Sequence, residues 1–179
     1  MSHYKILFTG PVGAGKTTAI RSLADELPVS TDERASDDTR YRKANTTVAM
    51  DYGVMRLADG EQLHLYGTPG QERFDFMWEI LQVGALGLVV LVDNAMEDPI
   101  GDARFFVDTY RDFIDRTKVA IGVTRVDLRP TPTIEEYHEA LADLGLRAPI
   151  FTVDARVRAD VALLVESLLF SLDPGLEVA

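Results

Sequence analysis

The stretch Gly10-Pro11-Val12-Gly13-Ala14-Gly15-Lys16-Thr17 constrains this chain more than any other. Before it, Tyr4-Lys5-Ile6-Leu7-Phe8-Thr9 reads as a buried strand. After it, Ile20, Leu23, Ala24 and Leu27 recur at helical spacing. A glycine-rich loop between a strand and a helix, matching G-x-x-x-x-G-K-[ST] in full, has the context of a phosphate-binding loop. Its glycines allow backbone N–H groups to turn inward around a phosphate, and the helix adds the positive end of its dipole. Lys16 can reach the β- and γ-phosphates, and the Thr17 hydroxyl can ligate Mg²⁺. Gly10, Gly13, Ala14, Gly15, Lys16, Thr17 and Thr18 are therefore the candidate phosphate-binding residues. A turn that merely joined strand to helix would need neither the lysine nor the hydroxyl.

Composition narrows the setting. With 179 residues, 46% of them apolar and 26% charged, the chain is sized and balanced for one soluble globular domain spanning 1–179. The most apolar run, Val83 to Val92, contains two glycines and is too short to span a membrane. The chain enters a strand almost at once, so no signal peptide is expected. It has no cysteine, hence no disulfide, thiolate metal site or prenylation site, and Ser2 stands where myristoylation needs glycine. A cytoplasmic protein without an intrinsic membrane anchor is the expectation. The net charge of −11 disfavours nucleic acid and anionic lipid as partners. Arg40, Arg42 and Lys43 form a small basic patch that reads as a solvated loop. They fall in Pro28 to Asn45, a polar stretch without apolar periodicity, and a loop of that length in a compact domain is usually functional.

Further along, Val48 to Leu57 reads as a strand, Asp59-Gly60 as a hairpin turn, and Gln62 to Tyr66 as a second, alternating strand. Phe74 to Val83 looks helical, with Phe74, Phe76, Met77 and Trp78 available for the core or for a partner surface. Leu86 to Val92 has the continuous apolar character of a strand buried on both faces. Ala103 to Arg116 reads as one helix and Val119 to Val123 as a strand. Thr133 to Glu136 is a capping box opening a helix that Gly145 closes. Pro149 to Val153 and a helix through Val161, Leu164, Val165 and Leu168 complete the chain. The order β-α-β-β-α-β-α-β-α-β-α predicts an α/β fold: a six-stranded, mostly parallel sheet with one antiparallel strand and helices on both faces. The loops after Phe8, Gly67, Val92, Val123 and Val153 should converge at the carboxyl ends of the strands.

Those loops resemble the motifs of Ras- and Rab-like small GTPases, in the correct order and over nearly the whole chain. Thr68-Pro69-Gly70-Gln71-Glu72-Arg73-Phe74 resembles the second switch, and Thr46-Thr47 the first. Thr124-Arg125-Val126-Asp127 sits where the guanine-reading motif belongs, and Val153-Asp154-Ala155-Arg156 resembles the last motif. The variant motifs are most similar to a bacterial and archaeal subgroup often associated with small roadblock-type regulatory proteins.

The resemblance implies a single G-domain that binds GTP or GDP with Mg²⁺ and hydrolyses GTP slowly, accelerated by a roadblock-type or other regulatory partner. It makes Gln71, with Lys16, the catalytic pair, Gln71 orienting the attacking water. It makes Gly70 a γ-phosphate sensor and Thr47 the threonine that closes over Mg²⁺, although spacing alone does not separate Thr47 from Thr46. Asp127 would accept hydrogen bonds from guanine N1–H and the exocyclic amine, a donor pair that adenine lacks. Arg125 would lay its stem and planar head over the base. Asp154, Ala155 and Arg156 would complete the base site, with the Ala155 N–H on the base oxygen.

Two positions depart from the pattern. Thr124 replaces an asparagine and is expected to lack that residue's bridging contacts. Gly67 replaces an aspartate that holds a water of the Mg²⁺ shell. Asp51 and Asp93 are candidate substitutes. If Asp59-Gly60 forms a two-residue turn, however, Asp51 falls opposite Thr68 and points away from position 67. Two other readings of function stay open: a non-hydrolysing scaffold that uses the nucleotide only to shape a surface, and an ATP-binding P-loop protein.

Overall fold

The structure is a computed structural model and describes residues 3–27, 51–68 and 75–172. Among these residues the strands are β1 (His3–Thr9), β2 (Asp51–Arg56), β3 (Gln62–Gly67), β4 (Gly87–Asp93), β5 (Val119–Thr124) and β6 (Ile150–Thr152). The helices are α1 (Lys16–Leu23), α2 (Asp75–Gln82), α3 (Pro99–Thr109), α4 (Arg111–Arg116), α5 (Ile134–Ala142) and α6 (Arg158–Leu172). They build one sheet in the order β2-β3-β1-β4-β5-β6, antiparallel between β2 and β3 and parallel elsewhere. The expected α/β architecture is the observed one.

Alternation along the central strands sends side chains to two cores. Val89 and Leu91 join Ile6, Phe8, Ile20, Leu164 and Leu168 beneath α1 and α6. Leu88, Val90 and Val92 join Leu7, Phe106, Tyr110, Tyr137 and Leu141 on the opposite face, beneath the remaining helices. Every residue of β4 and β5 is buried, which explains the unbroken apolar runs. The capping box of α5 is formed: the Thr133 side chain accepts from the Glu136 N–H, and Glu136 reaches back to the Thr133 N–H at 2.7 Å.

Three expectations need correction. The first concerns the hairpin. Leu57 N–H donates to Glu61 O at 2.9 Å and Gly60 N–H to Leu57 O at 3.0 Å, so Ala58-Asp59-Gly60 is a three-residue loop. Gly60 supplies the left-handed residue that such a loop requires, with φ +84°. The register therefore runs from Arg56 opposite Gln62 to Asp51 opposite Gly67, not opposite Thr68. The second concerns Ala103 to Arg116, which is two helices. The Asp98 side chain accepts from Gly101 N–H and Pro99 starts α3, while Tyr110, at φ −99° and ψ 16°, divides α3 from α4. Apolar spacing conceals the break because Phe106, Tyr110 and Phe113 all remain in the core. The third concerns Trp78, which is no partner surface. It is buried, with its ring 5.3 Å from that of Tyr110. Met77 is half-buried. Phe74, and the side chain of Phe76, lie outside the described residues.

Candidate functional site

The loop between β1 and α1 lies at the carboxyl end of the sheet, where β1 is flanked by β3 on one side and β4 on the other. Gly10 sits at φ +142°, and a Cβ there would come within 2.1 Å of the Leu91 carbonyl oxygen, so only glycine fits. Gly15 takes the N-cap of α1 and offers no side-chain acceptor to the first helical N–H groups, which leaves them available to an anion. Lys16 folds back over the loop, its Nζ donating to Gly10 O and Pro11 O, both at 2.8 Å. It is only 8% exposed. Burial lowers its ammonium pKa to about 8, against an opposing pull from Asp51. A phosphate arriving here meets a buried lysine held by weak acceptors, ready to exchange them for a strong one.

Thr17 and Asp51 meet beside that lysine. The Thr17 hydroxyl donates to Asp51 Oδ2 at 2.5 Å. Asp51 gets there because the three-residue hairpin sets it opposite Gly67, with its side chain on the same face of the sheet. A Cβ built on Gly67 would lie 2.9 Å from Asp51 Cβ and 3.3 Å from Asp51 Oδ2. The space that an aspartate at 67 would fill is occupied by the carboxylate of its neighbour across the strand pair.

On the other side of the loop lies a cavity of about 610 Å³, lined among others by Ala14, Gly15, Thr18, Arg125, Asp127, Asp154, Ala155 and Arg156. Its walls come from the phosphate loop, the segment after β5 and the segment after β6. Thr124 joins the first two: its hydroxyl lies 3.0 Å from the Ala14 carbonyl oxygen and 3.2 Å from that of Val92. A threonine thus does bridge, because the buried end of β5 runs directly beneath the loop. Gly15 permits a second close approach, since a Cβ there would meet Ala155 Cβ at 3.1 Å.

The charged side chains around this cavity are unequally engaged. Arg156 grips Asp154 through two hydrogen bonds, Nε to Oδ1 at 2.9 Å and Nη2 to Oδ2 at 2.7 Å. Arg156 thereby lowers the Asp154 pKa to about 2. Asp160 Oδ2 accepts from the Asp154 N–H at 2.9 Å. Arg125 pairs with Asp93, a residue buried to 1% exposure that also accepts from the Ala95 N–H at 2.9 Å. Asp93 thus caps its loop and holds Arg125, while Asp51 is the carboxylate in contact with Thr17. Asp127 is exposed and makes no side-chain hydrogen bond among the described residues.

The structure therefore brings together Gly10, Gly13, Ala14, Gly15, Lys16, Thr17, Thr18 and Asp51 at one place, and Arg125, Asp127, Asp154, Ala155 and Arg156 at the adjoining cavity, with Thr124 buried beneath the loop. Thr46, Thr47, Gly70 and Gln71 lie outside the described residues, as do Arg40, Arg42 and Lys43. Sequence reasoning missed the pairing of Asp93 with Arg125. A carboxylate at the end of a fully apolar strand was the available signal, because so buried a charge demands a partner.

Comparison with known proteins adds two findings. Residues 26–128, more than half the chain, match the family described as "Conserved hypothetical ATP binding protein". The match takes in β2 through the segment after β5. An uncharacterized protein of Methanocaldococcus jannaschii is 33% identical over 89 residues, and the chain spans about half of that relative's length (50% of each chain). Among the described residues no helix is long and apolar enough to cross a membrane.

Proposed function

The chain belongs to the family of conserved hypothetical ATP binding proteins, and from that premise we propose that it is a P-loop nucleoside triphosphatase selective for guanine. In this reading it binds GTP or GDP with Mg²⁺ and hydrolyses GTP slowly as a molecular switch. Residues 1–179 form one nucleotide-binding domain, cytoplasmic and regulated by a roadblock-type or comparable partner.

One observation carries the choice of base. Of the three aspartates lining the cavity, Asp154 is taken by Arg156 and Asp160 by the Asp154 N–H. Asp127 alone has no hydrogen bond to either oxygen among the described residues, although the nearby Arg156 charge acts on it through space. An ionised carboxylate is acceptor-only and matches the N1–H and exocyclic N–H pair of guanine; adenine presents an acceptor at N1 instead. Two hydrogen bonds to a charged group, at roughly 1.5–3 kcal/mol each, support a preference of about 10² or more. The Ala155 N–H contributes the complementary donor to the base oxygen.

The phosphate end follows from the loop. Lys16 and the N–H groups of Gly13, Gly15 and Thr18 neutralise and orient the phosphates, while the Ala14 N–H donates to Pro11 O at 3.2 Å and shapes the loop, and Lys16 carries its positive charge toward the γ-phosphate as charge develops there. Thr17 and Asp51 offer two hard oxygen donors in mutual contact, a donor set that fits Mg²⁺, which takes few protein ligands and completes its shell with water and phosphate. When bound, the ion supplies charge neutralisation at the phosphates. In this proposal Thr47 adds a further oxygen in the triphosphate state, Gly70 senses the γ-phosphate, and Gln71 orients the attacking water.

A second reading is favoured by the description of the family itself: the same loop and cavity serving ATP. Two measurements separate them. The nucleotide retained after purification is identified by chromatography of the denatured supernatant, and ATP is competed against a fluorescent GTP analogue. Guanine nucleotide in the supernatant and weak inhibition by ATP are expected. Equal inhibition by the two nucleotides overturns the guanine assignment.

A further inference from the structure

Asp93 is a carboxylate that nothing in the phosphate chemistry uses, yet it is buried at the carboxyl end of β4. A charge so placed is tolerated only when it is paired and hydrogen-bonded. One oxygen accepts from the Ala95 N–H; the other is bound to the guanidinium of Arg125. Arg125 is itself unusual. Among the described residues it is the one non-glycine with a left-handed backbone, at φ +56°. L-residues avoid that region, and its use in a structure accompanies positions that aim a side chain for a purpose. The conformation is fixed from behind, because Leu128 N–H and Arg129 N–H both donate to Arg125 O, at 3.1 and 3.2 Å. The turn so made carries Asp127 to the cavity and leaves the Arg125 side chain 48% exposed, lining that same cavity.

We propose that Asp93 is a positioning residue of the base site: it fixes the Arg125 guanidinium as a preformed stacking wall for a purine. This rests on the reading of the cavity as a nucleotide site. Division of labour follows from the chemistry. Asp127 reads the edge of the base, whereas a planar cation held beside the ring acts on its face and serves any purine. Without Asp93, Arg125 would be a flexible exposed side chain that must be ordered at the moment of binding. The ion pair removes that cost in advance, and it does so from β4, a strand that contributes no residue to the cavity lining.

Asp93→Asn tests this, because the amide oxygen still accepts from the Ala95 N–H while the charge pairing is lost. Dissociation constants are measured for GDP, ADP and inorganic tripolyphosphate. The expected result is a rise of about tenfold for whichever purine nucleotides the wild type binds, with tripolyphosphate unchanged within about twofold. Arg125→Met keeps the stem and removes the guanidinium; it should produce the same rise, and the double variant should be no weaker than Arg125→Met alone. Unaltered purine affinity in Asp93→Asn, parallel loss of tripolyphosphate, or full additivity of the two substitutions each overturns the proposal. If Asp93→Asn does not fold, Arg125→Met decides: wild-type purine affinity in that variant overturns the proposal as well. Failure of the guanine assignment is read separately, from the wild-type ratio of GDP to ADP.

Discussion

The Asp51 carboxylate lies in the space that Gly67 leaves open across the β2–β3 pair. A side chain at 67 would begin 2.9 Å from Asp51 Cβ and 3.1 Å from Ile20 Cδ1. The two positions are thus alternatives, with room for one carboxylate between them. Gly67→Asp alone should not improve the site. It overpacks the strand pair and sets two carboxylates side by side, at about 1–3 kcal/mol of stability. Asp51→Gly combined with Gly67→Asp should recover most of the melting temperature and the Mg²⁺-dependent gain in nucleotide affinity. Asp51→Ala should leave nucleotide affinity in EDTA unchanged and reduce the apparent Mg²⁺ affinity about 10- to 100-fold. Thermal melts and Mg²⁺ titrations with a fluorescent nucleotide check each variant. A Gly67→Asp protein as stable as the wild type would refute the steric argument.

Lys16 makes the stability of the nucleotide-free protein depend on pH. Its pKa falls from an ordinary value of 10.5 to about 8 because it is buried. Between those values the unfolded chain carries the proton and the folded protein does not. The unfolded state then binds more protons, so stability rises with pH through that window. Below pH 8 the burial of the charge counts fully against folding. Lys16→Met removes this dependence. The difference in unfolding free energy between wild type and variant should therefore move in favour of the wild type by up to about 3 kcal/mol from pH 7 to above pH 10. Urea melts at both ends of the range measure it, and a pH-independent difference would contradict the assigned burial. The same substitution should abolish tight nucleotide binding while the fold persists.

Thr124 ties the end of β5 to the loop between β1 and α1 through its hydroxyl. Thr124→Val preserves shape and leaves the Ala14 and Val92 carbonyls without that partner. A loss of about 1–3 kcal/mol in stability is expected. Thr124→Ser retains the hydroxyl and should keep most of it. If the bridge also positions the two segments, nucleotide affinity falls with Thr124→Val and returns with Thr124→Ser. Denaturant melts and nucleotide titrations on the pair distinguish a packing effect, which serine would not rescue, from a hydrogen-bonding one.

Much of the architecture was legible because local pattern and tertiary role coincide. Gly10 to Thr17 carries its own context, and β4 and β5 announce burial on both faces by running apolar without a break. The hairpin was misread for a physical reason. Asp59-Gly60 is a turn signal for loops of two and of three residues alike, and only the left-handed Gly60 pairing with Leu57 decides between them. A slip of one residue exchanges the two faces of a strand, and with it the position of Asp51. The roles of Asp93 and Thr124 were hidden differently. Their partners lie 32 residues away for Asp93 and 110 for the more distant partner of Thr124. No local pattern encodes such contacts; they exist only once the parallel sheet has set the ends of β4 and β5 beside the loop.

Hydrolysis is the remaining test of the switch reading. Gly67 brings no carboxylate of its own, and Asp51 supplies one from a different strand. The geometry around Thr17 thus depends on β2, the strand that follows the polar stretch Pro28 to Asn45. Isolated protein should turn over GTP slowly, with Gln71 mattering most when a partner is present. Arg42, in that stretch, is the arginine tested for a contribution in cis. A stabilising group supplied by a partner is worth roughly 10³–10⁵ in rate in GTPases that use one. Single-turnover hydrolysis is measured for wild type, Gln71→Leu and Arg42→Ala, each alone and with a roadblock-type protein from the same cell. The expected pattern is slow basal turnover in all three, acceleration of the wild type by the partner, and loss of that acceleration in Gln71→Leu. Fast turnover by the isolated wild type, unchanged in Gln71→Leu, would place the catalytic group elsewhere; no turnover under any condition would favour the non-hydrolysing scaffold.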